Sequence, residues 1–222
     1  MPLDKGQADL LTRVASVIGH DLRNPMAVIN NSAYFVRAKL GQTKLDPKVE
    51  KHLKIIESEI ARADGLLADM LTFSRAYEPS AETLALDSVV GDAVKAYEAP
   101  EGCKVDFKPG AKDAKAKFDG KALADSLKRL LDNAFYAMGD KGTAKVTTAV
   151  AGKDLVVSVS DSGSGVDAKI EPLMYEAFMT TKPKGLGLGL SLARKFLQGV
   201  GGSVSHESTP KGATFRLTLP KA

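Results

Sequence analysis

The 222-residue sequence predicts an α+β protein in which an N-terminal antiparallel helical hairpin precedes an α/β-sandwich domain. Three observations predict it. Two apolar seams with alternating three- and four-residue steps occupy the first third of the chain, as in helices packed on helices. The seam pattern stops at Tyr77-Glu78-Pro79-Ser80, a Pro/Ser break. Beyond it, short alternating apolar segments mix with amphipathic stretches, the pattern of a sheet layered with helices. The expected domains are 1–77 for the hairpin, 78–83 for a linker and 84–222 for the second domain.

The first seam runs through Leu11, Ala15, Ile18, Leu22, Pro25 or Met26, Ile29, Ala33, Val36 and Leu40. Gly41–Asp46 is a turn, with Asp46 as helix cap and Pro47 at the first helical position. The second seam is Leu53, Ile56, Ile60, Ala63, Leu67, Met70 and Ser74. A two-helix hairpin buries too little apolar surface to stand alone, so two copies are expected to form a four-helix bundle. Packing of a single hairpin against the rest of the chain is the alternative.

In the second domain, Leu84–Leu86, Lys104–Phe107, Ala116–Phe118, Lys145–Val150, Leu155–Ser160, Ser203–His206 and Thr214–Leu219 are expected strands. Asp87–Tyr97, Gly120–Met138 and Ser191–Gly199 are expected helices, the middle one burying Leu123, Leu127, Leu130, Leu131 and Ala134.

The composition, 44% hydrophobic and 26% charged, is that of a soluble globular chain. A single cysteine, Cys103, excludes an intrachain disulfide and suits a reducing cytoplasm. No apolar run approaches the roughly 20 residues of a membrane span, and Met1–Gly6 lacks a signal-peptide core. The net charge of +4 is mild. Lys104, Lys108, Lys112, Lys115, Lys117 and Lys121 lie without interleaved aromatics, so a solvated, loop-rich region is expected there rather than a nucleic-acid surface.

Chemistry concentrates in a few places. His20, within Ile18-Gly19-His20-Asp21-Leu22-Arg23-Asn24-Pro25-Met26, lies off the seam, about 200° around the helix from Ile18 and Leu22, and is expected to face solvent. A neutral imidazole is a nucleophile near neutral pH, and Asp21 beside it can orient the ring or take its proton. Asn24 is one turn on, and Pro25 is expected to kink the helix. Asp161-Ser162-Gly163-Ser164-Gly165 follows an apolar strand, placing a carboxylate and two permissive backbone positions at its end. The stretch Gly185-Leu186-Gly187-Leu188-Gly189-Leu190 leads into a helix, offering backbone amides and a helix N-terminus to phosphates. Asn133 carries a carbonyl suited to Mg²⁺. Phe178-Met179-Thr180-Thr181-Lys182 supplies an apolar anchor, either core or lid, and a cation within reach of a phosphate.

Together these segments resemble, in order, the motifs of a two-component sensor histidine kinase catalytic core: a dimerisation and phosphotransfer hairpin followed by an ATP-binding domain of the Bergerat fold. Ile18–Met26 resembles the H box, Leu130–Ala137 the N box, Asp161–Gly165 the G1 box, Glu176–Lys182 the F box and Gly185–Leu190 the G2 box. The resemblance implies ATP-dependent phosphorylation of His20 and transfer to an aspartate of a response regulator. It implies Asp21 as acidic partner, Asn133 as Mg²⁺ ligand and Asp161 as reader of the adenine amino group. Gly163 and Gly165 would make room for the nucleotide, and Gly185, Gly187, Gly189 and Leu190 would flank its phosphates. Asn24 is implied as a residue for regulator dephosphorylation. Two departures stand out: Arg129 occupies the place where relatives commonly carry a further asparagine, and six residues between Phe178 and Gly185 make a short lid. No sensory domain precedes the hairpin in this sequence, so the signal is expected from an absent segment or a partner. The rival reading is a non-catalytic dimeric histidine phosphotransfer protein with an ATP-like domain.

Overall fold

The computed structural model describes residues 5–40, 46–112, 114–139, 141–183 and 185–221, with the side chains of residues 5–17 and 20 outside the description. It comprises two compact units, Met1–Ala76 and Tyr77–Ala222.

The first unit is the expected pair of helices, α1 (Lys5–Leu40) and α2 (Pro47–Ser74). Asp46 caps α2, its carboxylate accepting from the Lys48 amide at 2.7 Å, with Pro47 next in the chain. The remainder of the expected turn, 41–45, lies outside the described residues. α1 runs on through Pro25. Ala33 and Leu53 are buried between the helices, and Arg37 grips Glu57 through two bonds of 2.9 and 2.7 Å, a fork that fixes the axial register of the pair. A Cβ on Gly19 would stand 3.1 Å from Leu71 Cδ1, so a glycine lets α1 pass close to α2 immediately before His20. Seam residues Ile18, Leu22, Ile29 and Ile56 are 40–50% exposed in the single chain. The hairpin thus leaves an apolar face uncovered.

The second unit has two layers. A five-stranded sheet in the order β2-β4-β5-β7-β6 is formed by β2 (Cys103–Lys108), β4 (Gly142–Ala151), β5 (Asp154–Ser160), β6 (Ser203–Thr209) and β7 (Gly212–Pro220). Among the described residues only β2 and β4 pair in parallel. A small antiparallel pair, β1 (Glu82–Ala85) with β3 (Lys115–Phe118), lies beside it. The helices α3 (Leu86–Ala96), α4 (Gly120–Ala137) and α5 (Gly189–Gly199) cover one sheet face. On that face Val146, Leu155, Val157, Val159, Leu217 and Leu219 alternate with less buried neighbours. The expected α4 core residues Leu123, Leu127, Leu130, Leu131 and Ala134 are all buried, joined by Phe135.

The strands expected at Lys104–Phe107 and Ala116–Phe118 form, as β2 and β3, so the lysines there lie on a sheet rather than in loops: in β3, Ala116 and Phe118 point inward while Lys115 and Lys117 face solvent. The stretch 77–83 makes contacts of its own. β1 begins at Glu82, and Tyr77 packs its ring on Phe196 at 4.9 Å between centroids. The Tyr77 hydroxyl donates to Asp119 Oδ2 at 3.0 Å, the Ser80 amide donates to the same oxygen at 3.1 Å, and Oδ1 caps α4 at the Ala122 amide. Burial opposes the charge on Asp119, but these donors outweigh it and hold its carboxyl below the ordinary range.

Burial, with Asp119 adding to it, pushes the Tyr77 hydroxyl far above its ordinary value, and burial pushes Tyr175 up to about 12. Both phenols are therefore held neutral by folding, and their stabilisation is complete below the unfolded value near pH 10 and lost as pH rises toward the folded one. Thermal unfolding followed by circular dichroism should show Tm falling between about pH 9.5 and about pH 11.5, with a shallower fall in Tyr77→Phe and in Tyr175→Phe.

Candidate functional site

The burial of α4 on the sheet fixes which of its residues face outward, and successive turns of that outward side receive the three loops that carry the sequence motifs. Near Arg129, the backbone of Gly189 starts α5; a Cβ on Gly189 would lie 4.0 Å from the Arg129 Cβ. One turn on, Asn133 Oδ1 accepts from Lys182 Nζ at 2.7 Å. At the helix end, a Cβ on Gly163 would stand 2.6 Å from the Ala137 carbonyl oxygen, so the Asp161–Gly165 turn touches the last turn of α4 backbone to backbone. Asp161, Gly163, Asn133, Lys182, Gly187 and Gly189 are thereby brought around one helix.

Asp161 leaves β5 with a fixed carboxylate. Its Oδ1 accepts from the Gly163 amide at 2.8 Å and from the Ala213 amide at 3.3 Å. Gly165 adopts φ +72°, and a Cβ there would stand 2.1 Å from the Thr209 carbonyl oxygen. Only glycine fits both the torsion and the space. The segment beyond is pinned to edge strand β6 by His206, whose Nε2 pairs with Glu171 Oε1 at 2.9 Å and Nδ1 with the Tyr175 hydroxyl at 3.1 Å. The 3-10 turn Glu171–Leu173 and this contact were not foreseen; an isolated histidine in an alternating strand carries no signal of partners over 30 residues away.

The lid spans Phe178 to Gly187 and is closed at its neck, where the Phe178 amide donates to the Gly187 carbonyl at 3.1 Å. Gly187 has φ +70°, and a Cβ would stand 2.6 Å from the Met179 carbonyl oxygen. Phe178 itself holds φ +66°, an uncommon torsion for a non-glycine residue, and is half exposed. It is therefore part of the lid neck rather than core. Gly185 has only ordinary contacts, and Leu190 is half-buried at the start of α5. Leu188 is the fully buried anchor of the loop. Lys182 also reaches the Asp132 carbonyl at 3.3 Å and lies over the Tyr136 ring, 4.7 Å from its centroid. Tyr97 stacks on Phe135 and donates to Asp132 Oδ1 at 2.8 Å, steadying the turn that carries Asn133.

In the first unit, Asp21 and Asn24 are exposed on α1, and His20 lies in the same helix with its side chain outside the described residues. Among the described residues no group of three or more His, Cys, Asp or Glu side chains could hold a metal ion. Asn133 nevertheless fits a hard cation, because its carbonyl oxygen already accepts from a positive charge and Mg²⁺ needs few protein ligands when phosphates and water supply the rest. No helix among the described residues is long and apolar enough to cross a membrane.

Comparison with known proteins agrees with this architecture. Residues 10–78 match the His Kinase A (phospho-acceptor) domain, and residues 118–222 match the histidine kinase-, DNA gyrase B-, and HSP90-like ATPase family. The sensor protein FixL of Bradyrhizobium diazoefficiens is 31% identical over 220 residues, covering 94% of this chain and 43% of FixL. The structure of full-length ShkA in complex with AMPPNP superposes with a TM-score of 0.75 at 22% identity, over 95% of this chain and 46% of ShkA. The histidine kinase ThkA, in complex with the response regulator protein TrrA, superposes at 0.68 with 23% identity, over 96% of this chain and 63% of that one. The chain belongs to the two-component sensor histidine kinases and has the fold of their catalytic core, a phospho-acceptor hairpin joined to a histidine kinase-type ATPase domain. It spans less than half the length of the curated relatives it matches.

The glycine geometry makes a stability prediction. Gly165→Ala and Gly187→Ala should each cost about 2 kcal/mol or more in urea unfolding. Gly189→Ala, whose Cβ would make only an ordinary contact in a helical position, should be neutral or stabilising by up to about 1 kcal/mol.

Proposed function

We propose that this core binds Mg-ATP in the second unit, phosphorylates His20 and passes the phosphoryl group to an aspartate of a response regulator. The observation that carries the reading is the convergence of Asp161, Asn133, Lys182 and the glycine lid on one side of α4. Both amide bonds to Asp161 fall on Oδ1, which leaves Oδ2 as acceptor for an adenine amino group. Gly163 and Gly165 keep the backbone beside that carboxylate free of side chains. Gly185, Gly187, Gly189 and Leu190 present the lid and the start of α5 to the phosphates, with Lys182 as the nearby cation and Phe178 at the neck. Bound Mg²⁺, held by Asn133, would neutralise phosphate charge. Phosphoryl transfer asks a protein mainly for position and charge, and the second unit supplies both.

In the first unit His20 is the nucleophile and Asp21 its general base or orienter. The uncovered apolar face of the hairpin supports assembly of two copies into a four-helix bundle. The family and the ThkA complex support the response regulator as partner, and the H-box sequence supports regulator dephosphorylation through Asn24. The non-catalytic relay reading has no use for the two glycines whose torsions and close contacts shape the nucleotide loops, and is ranked second.

Phosphoryl incorporation from γ-labelled Mg-ATP tests the assignment. Acid-labile label should appear on the parent chain and vanish in His20→Ala; no label on folded parent protein that nevertheless accepts phosphate from a phosphorylated regulator would favour the relay. Asp161→Ala should weaken ATP binding by about 10- to 100-fold, the loss of one hydrogen bond to a charged acceptor. Asn24→Ala should leave autophosphorylation near the parent rate while slowing regulator dephosphorylation; equal loss of both would remove Asn24 from that role.

A further inference from the structure

Lys182 has more to hold it than a phosphate ligand needs. Its ammonium rests on the Asn133 carbonyl at 2.7 Å, on the Asp132 carbonyl at 3.3 Å and over the Tyr136 ring at 4.7 Å. All three lie near the C-terminal end of α4, where the helix dipole favours a cation. The backbone of Lys182 is itself fixed by short bonds, its amide to Thr180 Oγ1 at 3.0 Å and its carbonyl from the Gly185 amide at 3.2 Å. A closed neck at Phe178 and Gly187 and one side chain from the tip therefore hold the lid against α4.

We propose that Lys182 is a positioning residue that competes with the divalent cation for Asn133 Oδ1, with Tyr136 as the seat that keeps it there. The inference rests on the nucleotide-site reading above. One carbonyl oxygen cannot comfortably serve an ammonium and a divalent ion together, because the two charges would stand within a few ångströms in a half-buried place. Metal arriving with nucleotide displaces the ammonium, and the displaced lysine, on a lid only a few residues long, turns toward the phosphate chain. Metal occupancy and lid position are thereby coupled through one side chain. Tyr136 lies inside the segment that resembles the N box but is given no role by that resemblance; its ring supplies a seat for the cation that an aliphatic residue would not.

The test uses ADP, which lacks the γ-phosphate, and reads binding by titration calorimetry in the presence of Mg²⁺ and in the presence of EDTA. The ratio of the two affinities should rise about 3- to 10-fold in Lys182→Met, which frees Asn133 for the metal. It should rise in the same direction, by less, in Tyr136→Ala, which loosens the lysine but keeps its charge, and stay at the parent value in Tyr136→Phe, which keeps the ring. Amide hydrogen exchange over 179–186 in the nucleotide-free protein should quicken in Lys182→Met and Tyr136→Ala. An unchanged ratio in Lys182→Met overturns the proposal. So does a ratio that rises there but not in Tyr136→Ala, since the metal would then only be replacing a lost phosphate contact. Failure of the parent protein to bind ADP under either condition would instead overturn the nucleotide-site reading, and this proposal with it.

Discussion

The burial of α4 against the sheet is the constraint on which the nucleotide-side architecture depends. Leu123, Leu127, Leu130, Leu131 and Phe135 are each at most 2% exposed, so the helix has no freedom to rotate about its axis. With the inward face fixed, Arg129, Asn133 and Ala137 are delivered outward at successive turns. Asp119 secures the other end of the same helix, and the Tyr97 contacts steady the turn around Asp132. Asn133 is thus carried by a rigid element, while Asp161, Lys182 and the glycines stand on the loops gathered around it.

Those loops are shaped by what they lack. At Gly163, Gly165 and Gly187 a single added carbon would collide with a backbone carbonyl at 2.6, 2.1 and 2.6 Å. The glycines therefore serve packing of loop against helix end, strand end or loop as much as approach of a ligand. Their two roles coincide because a backbone brought this close to a neighbouring backbone also exposes its amides in a fixed direction. Gly19 acts similarly in the hairpin, where a Cβ would press on the Leu71 side chain and its absence lets the helices approach next to His20.

The hairpin was legible in the sequence because heptad spacing is local and repeats, and Asp46-Pro47 marks its own role in two residues. The helices and most strands of the second domain were legible for the same reason, with ends that extend a few residues beyond the apolar cores. In β4, for example, Gly142 and Thr143 belong to the strand only because β2 pairs with them in parallel, a partner some 40 residues away. β2 and β3 were legible as strands because Val105, Phe107, Ala116 and Phe118 alternate with polar residues; what the lysines around them obscured is that these strands leave little of the region as loop. The candidate site was legible as a set of motifs, one by one. How they meet was not: the Lys182 contact to Asn133 joins residues 49 apart, and the His206 contact to Glu171 joins residues 35 apart. Such contacts follow from the topology of the sheet, not from any local pattern.

The docking of Tyr77 on Asp119 and Phe196 changes what the connection between the units can be. The sequence suggests a flexible stretch over 78–83, yet Tyr77 and Ser80 are both tied to the N-terminal cap of α4. Tyr77 and Ser80 are therefore part of the second unit's own fold, and the carboxylate that starts α4 also fastens the first residues of that unit. Removing Asp119 would loosen a helix start and a chain entry at once.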